Sequence, residues 1–181
     1  AGYTFNSAKT TYADSAHATA QTASLTIAAN GSLVVNLYYV ENADVTLTFA
    51  ASPASTGSVS TESQTLAPAT GIAAAVTASA NPGYSFSNWS NNHTANTTTD
   101  ATLTKAQIDA VARSTGAYVA SAFTANFTEN SDYIVAYNLN YNGATNPPSK
   151  TGVKWTDTGL LPADPTRSGH TFIGWFTKSD G

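Results

Sequence analysis

The polar residues best placed for chemistry lie in two acidic junctions. Glu41-Asn42-Ala43-Asp44 and Glu129-Asn130-Ser131-Asp132 each set two carboxylates beside an Asn carbonyl. A hard cation such as calcium is held by roughly six to eight oxygens of this kind. The same residues are also ordinary turn formers. No dense Asp-x-Asp pattern accompanies them, so no metal ligand is assigned and calcium at these junctions stays an open alternative. Catalysis finds less support. His17, His93 and His170 occupy unrelated contexts, and none is spaced from another as zinc ligands are. A phosphate-cradling Gly-rich loop is missing. Serine is so frequent that a Ser/His/Asp set carries no information. The chain is therefore read as a non-enzyme without catalytic residues, metal or cofactor. A Lys–Asn cross-link could draw on Lys9 or Lys105, but Lys105 falls on an expected helix rather than a core strand.

Aromatic residues offer a different chemistry, stacking on sugars or on a protein partner. Trp89 and Trp175 end strand-like runs of alternating apolar residues, which points to core rather than platform. Trp155 is unlike them, since it sits in a loop-like stretch between Lys154 and Asp157. Trp155 and Tyr141 are the binding candidates, with the Asn91–Thr99 loop as a further surface.

These side chains must be positioned by short strands. Gly83-Tyr84-Ser85-Phe86-Ser87-Asn88-Trp89 reads as a turn feeding a strand, with Tyr84 and Phe86 on one face. A bulge would bring Trp89 onto the same core. The pattern recurs as Gly169-His170-Thr171-Phe172-Ile173-Gly174-Trp175, and more faintly as Gly2-Tyr3-Thr4-Phe5. Recurrence at long spacing signals tandem modules.

Residues 24–40 read as a hairpin about Asn30-Gly31, preceded by a loop or irregular edge strand from Ser7 to Thr22. A strand carrying Val45, Leu47 and Phe49 on one face stops at Pro53. Gly57–Ser60 gives a second short strand. A third runs from Ile72 to Ala80, with Ile72, Ala74, Val76 and Ala78 facing one way. The helix expected at about 104–115 has a capping box of Thr104 and Gln107, an Ile108/Val111/Ala112 stripe and Gly116 as its C-terminal cap. Phe123, Ala125 and Phe127 alternate on a closing strand. Val135, Tyr137, Leu139 and Tyr141 open a further block, which Asn142-Gly143 turns.

Composition bounds the rest. Only 10% of the 181 residues are charged, against roughly 25% in an average globular domain, so Ser, Thr and Asn must wet the surface. A net charge of −4 with seven Lys plus Arg argues against nucleic acid and anionic membrane surfaces. No apolar run is long enough to insert into a bilayer. Low charge, abundant Ser, Thr, Ala and Asn and the absence of cysteine fit a bacterial surface protein better than a disulfide-rich secreted domain. Asn30, Asn88, Asn92, Asn96 and Asn126 head Asn-x-Ser/Thr triplets, as chance allows in so Asn/Thr-rich a chain. Beginning at Ala-Gly-Tyr, the sequence reads as a monomeric piece of a longer secreted precursor.

Pro162-Ala-Asp-Pro-Thr-Arg-Ser-Gly-His-Thr-Phe-Ile-Gly-Trp-Phe176, preceded by Asn138-Leu-Asn-Tyr-Asn-Gly143, resembles the internalin B-repeat family, also called the Listeria–Bacteroides repeat. Residues 43–129 resemble its divergent version, through Val45–Pro53, Gly83–Trp89 and Phe123–Glu129. Residues 2–42 resemble the tail of a mucin-binding-protein-type repeat, through Gly2–Phe5 and Asn30–Tyr39. Against the family pattern, the first block lacks an opening strand and the last lacks its closing strand. The resemblance implies a mainly β (α+β) chain of tandem β-grasp-like modules, at 1–42, 43–130 and 131–181. It also implies an extracellular location on the bacterial cell surface and a stalk or adhesion role. The alternative is a module that binds a host glycan or host protein.

Overall fold

The computed structural model describes residues 2–5, 11–12, 35–36, 39–93 and 98–178. In chain order the strands are β1 (Tyr3–Phe5), β2 (Thr11–Tyr12), β3 (Val35–Asn36), β4 (Tyr39–Glu41), β5 (Val45–Ser52), β6 (Gly57–Val59), β7 (Ser63–Leu66), β8 (Val76–Ala80), β9 (Tyr84–Asn91) and β10 (Thr102–Leu103). Helix α1 (Lys105–Ala112) follows, then β11 (Arg113–Ser114), β12 (Ala117–Tyr118), β13 (Ser121–Glu129), β14 (Tyr133–Val135) and β15 (Lys150–Val153). Among the described residues the protein is mainly β, with several small sheets and one short α-helix.

The central unit is built on a mixed sheet in the order β7-β5-β13-β9. Strands β5 and β13 pair in parallel, and β7 and β9 flank them antiparallel. A parallel neighbour cannot be reached by a tight turn, so the chain between them makes a long excursion through β6 to β12 and the helix. The first and last long strands of this unit thus lie side by side at the centre of the sheet.

Register sets the core. Phe49 stands opposite Phe123, and their rings stack at 5.2 Å and 11°. Trp89 meets Phe49 edge-on at 6.5 Å and 90°. The pairing of β9 with β13 slips between Phe86/Phe127 and Asn88/Asn126. Ser87 is thus the extra residue of a bulge, which puts Phe86 and Trp89 on one core, 6.1 Å apart. Without that bulge the odd spacing would turn the indole to the opposite face. Leu47, Val76, Leu103, Ile108 and Ala112 complete the cluster. Each large apolar side chain so buried contributes about 1.5–3 kcal/mol.

Helix α1 starts as its residues require. Thr104 accepts the Gln107 N–H, and the Gln107 side chain accepts the Thr104 N–H, closing both arms of the box. Its end differs from expectation. The helix stops at Ala112, and Arg113 turns extended. Gly116 instead shares a two-residue hairpin turn with Thr115, at φ +89° and +49°, joining β11 to β12. Two successive positive φ values match the twist of a tight hairpin.

The strand expected from Ile72 begins only at Val76. Ile72 is 71% exposed, whereas Ala73, Val76 and Ala78 are buried. Residues before Val76 leave the ladder because the Gln64 side chain takes both the N–H and the C=O of Ala74. In the last unit β14 ends at Val135, and Tyr137 is buried beyond it as an irregular segment. Its hydroxyl donates to the Leu160 carbonyl. Most of the hairpin expected over 24–40 lies outside the described residues. Its described part pairs β3 with β2, and β4 pairs with β1.

Candidate functional site

The two Glu-Asn sequences at the ends of closing strands make the same structure twice. Tyr3 stands opposite Glu41 in β1–β4, and Tyr84 stands opposite Glu129 in β9–β13. The next residue, Asn42 or Asn130, donates its N–H to the carbonyl of Gly2 or Gly83, at 2.7 and 2.8 Å. Its side-chain oxygen accepts a hydroxyl, from Thr4 in one case and Ser85 in the other.

Each glutamate then reaches into the following unit. Glu41 accepts the N–H groups of Ala69 and Thr70, at 2.8 and 3.0 Å, and the Thr70 hydroxyl. Glu129 accepts the Thr156 N–H at 2.7 Å and its hydroxyl at 2.5 Å. The geometry follows from antiparallel pairing. After Asn42-Ala43-Asp44 the chain leaves along β5, and β7 brings it back beside the start of β5. After Asn130-Ser131-Asp132 it leaves along β14 and returns along β15. Each return delivers a turn to the glutamate it left behind.

A side chain in that turn also covers the glycine of the preceding unit. A methyl group on Gly2 would fall 2.9 Å from the Ala69 Cβ, and one on Gly83 would fall 2.0 Å from the Trp155 ring. The Trp155 N–H donates to the Asn130 carbonyl at 3.2 Å.

Donors hold both glutamates below the ordinary carboxylate value of 4.5. For Glu41 the chief cause is the Thr70 N–H, partly opposed by burial. For Glu129 it is the Thr156 hydroxyl and then the Thr156 N–H, with Lys154 assisting and Asp157 opposing. These oxygens face N–H and O–H groups rather than converging on a cation. Among the described residues no three His, Cys, Asp or Glu side chains gather as a metal site would need.

The sequence candidates are arranged as follows. Trp155 is 53% exposed. One part of its ring lies against Gly83, and Tyr133 tilts over it at 6.4 Å and 54°. Tyr141 is half-buried, with the Arg167 guanidinium 4.4 Å above its ring. The two tyrosines thus have different neighbours. Trp89 is core at 1% exposure, and its Nε1 donates to the Ala101 carbonyl. Trp175 is half-buried against Tyr137 and Phe172, 5.8 Å from each. Thr70 and Thr156 were not visible as candidates. No local signal marks them, because 29 and 27 residues separate them from the glutamates.

His93 does meet a serine, with Nε2 2.9 Å from Ser121 Oγ. The Ser121 hydroxyl, however, donates to the Val119 carbonyl, and Nε2 also faces the Ala120 carbonyl at 3.0 Å. A nitrogen shared between a carbonyl and an oxygen whose proton is already committed must carry its own hydrogen. Asp109 is bound by Lys105, Arg113 and the Tyr118 hydroxyl. The Tyr118 oxygen also accepts the Ala73 N–H. That network ties α1 to β12 and to the segment before β8. A cleft of about 260 Å³ opens between helix and sheet beside Trp89, Asn91, Thr98 and Gln107.

Comparison with known families follows these boundaries. Residues 45–131 match the divergent InlB B-repeat domain, and residues 133–181 match the Listeria-Bacteroides repeat domain. No curated protein and no solved structure matches the chain. The two matches support B-repeat membership for these segments, and such repeats are typical of bacterial surface proteins. Among the described residues no helix is long and apolar enough to cross a membrane.

Proposed function

We propose that these B-repeat segments form a stalk, a spacer of stacked modules in an extracellular bacterial surface protein, with no catalytic role. One observation carries this reading. Both junctions use the same arrangement of glycine, Glu-Asn and threonine, so each unit is oriented on the one before it. A linker of three residues held by carboxylate and backbone hydrogen bonds behaves as a joint with a set angle, not as a flexible string. The low charge and scarcity of Lys and Arg fit a chain that meets neither nucleic acid nor bilayer. Its monomeric state in isolation is part of the same proposal. Small-angle scattering of the chain tests it. A single elongated particle of concentration-independent length is expected. A broad ensemble of lengths would refute the stalk.

A second reading is supported by Tyr133, Ile134 and Trp155, all exposed and close in sequence or space. In that reading the last unit binds a host glycan or host surface protein through Trp155. A glycan array with the whole chain and with Trp155→Ala decides it. Binding lost in the variant supports it, and no binding by either chain removes the glycan form.

A further inference from the structure

We propose that the Glu41–Thr70 and Glu129–Thr156 contacts are proton-sensitive clasps, which hold successive modules at a set angle near neutral pH and let them swing apart once the carboxylate is protonated. The proposal rests on the stalk reading and adds to it the element that controls stiffness.

The argument is geometric. Between the last residue of one unit and the first strand of the next there are only three residues, Asn42–Asp44 or Asn130–Asp132. The Asn N–H bond anchors each linker at its start, and at the second junction the Asn130 carbonyl is bonded as well. Of the contacts that then fix the following unit, the one able to respond to protons lies farther from the linker. At both junctions that is a glutamate oxygen receiving an N–H and a hydroxyl of one threonine. A charged acceptor holds such donors roughly twice as strongly as a neutral one. A protonated carboxyl keeps one weaker acceptor and gains a donor that must find its own partner.

The direction with pH is fixed by the same contacts. Both glutamates are held below 4.5. Clasping therefore favours the closed joint fully above that value and is lost as pH falls below it. The surroundings are sparse. Tyr3 and the Ala69–Thr70 turn face Glu41, and Tyr84, Lys154, Thr156 and Asp157 face Glu129. Asp44 and Asp132 stand in the linkers. Asp157 is engaged with the Lys154 N–H at 2.8 Å.

The absence of cysteine allows a direct test. Spin labels on Ser79→Cys and Thr151→Cys, both exposed, report the distance between the central and last units in the full chain. A narrow distribution is expected at pH 7, broadening reversibly below about pH 4.5 while far-ultraviolet dichroism persists. Glu129→Ala should be broad already at pH 7, where its fold can be checked without acid. Asp157→Asn should stay narrow at pH 7 and still broaden in acid. A distribution that stays narrow both in acid and in Glu129→Ala overturns the clasp while leaving the stalk standing. One already broad in the unmutated chain at pH 7 overturns the stalk reading itself.

Discussion

Trp155 lies so close to Gly83 that a methyl group on the glycine would fall 2.0 Å from the indole Cγ. The contact joins a turn of one unit to the strand start of another, and Gly83 also has φ +84°. Gly83→Ala therefore combines a left-handed backbone cost with a clash, together about 2–4 kcal/mol. Urea unfolding measures the total. Trp155→Ala in the same background should recover about 1 kcal/mol, because only the clash is relieved. Strict additivity would show that the indole does not rest on Gly83.

Trp89 and Trp175 occupy equivalent places in their repeats but not equivalent surroundings. Trp89→Ala should cost about 3–5 kcal/mol, since the ring is 1% exposed and touches Phe49 and Phe86. Trp175 is half-buried, and its Nε1 has no hydrogen-bond partner among the described residues. Trp175→Ala should cost less than half as much. Thermal unfolding of both variants ranks them, and a reversed order would contradict the assignment of Trp89 to the central core.

Two glycines separate sterics from backbone strain. Gly57 is extended, yet a methyl there would fall 2.3 Å from the Phe127 ring. Gly57→Ala should cost about 1–3 kcal/mol through overpacking. Gly116 has φ +89° and nothing within 4 Å, so Gly116→Ala should cost about 1 kcal/mol from conformation alone. Combining Gly57→Ala with Phe127→Leu should rescue part of the first loss. No side-chain change should rescue the second.

Asp109 supplies a pH prediction within one module. Burial works to raise its pKa, but hydrogen bonds from Lys105 and Tyr118, with the Lys105 and Arg113 charges, bring it below the ordinary 3.8. A carboxylate depressed in the folded state stabilises above its unfolded value and loses that contribution as pH falls below it. Asp109→Asn should destabilise by about 1–3 kcal/mol at pH 7. The difference from the unmutated chain should shrink below about pH 4. Denaturant midpoints at pH 7 and pH 3 test this, and a constant difference would assign the effect to packing instead.

Local patterns made the central unit legible. Leu47/Phe49 and Phe123/Ala125/Phe127 announce half-buried strands because side chains alternate along extended backbone. Thr104 and Gln107 announce the helix start because their reciprocal hydrogen bonds are local. Edge strand β7, Ser-Gln-Thr-Leu, carries no apolar alternation, because its half-buried face holds Gln64 beside Leu66. At Gly116 the residue alone cannot separate two outcomes, because a helix cap and a tight hairpin both demand positive φ. The threonines of the clasps were hidden for a different reason. Each acquires its role only when a strand returns across nearly thirty residues to a glutamate, and no local rule records that return.

The parallel pairing of β5 with β13 has a mechanical consequence. The chain enters the central unit at the start of β5 and leaves at the end of β13, and parallel strands place those points at opposite ends of the sheet. Tension along the chain therefore pulls the two central strands lengthwise past one another. The six residue pairs from Ser121–Leu47 to Asn126–Ser52 bear that shear together, rather than opening one after another like a zip.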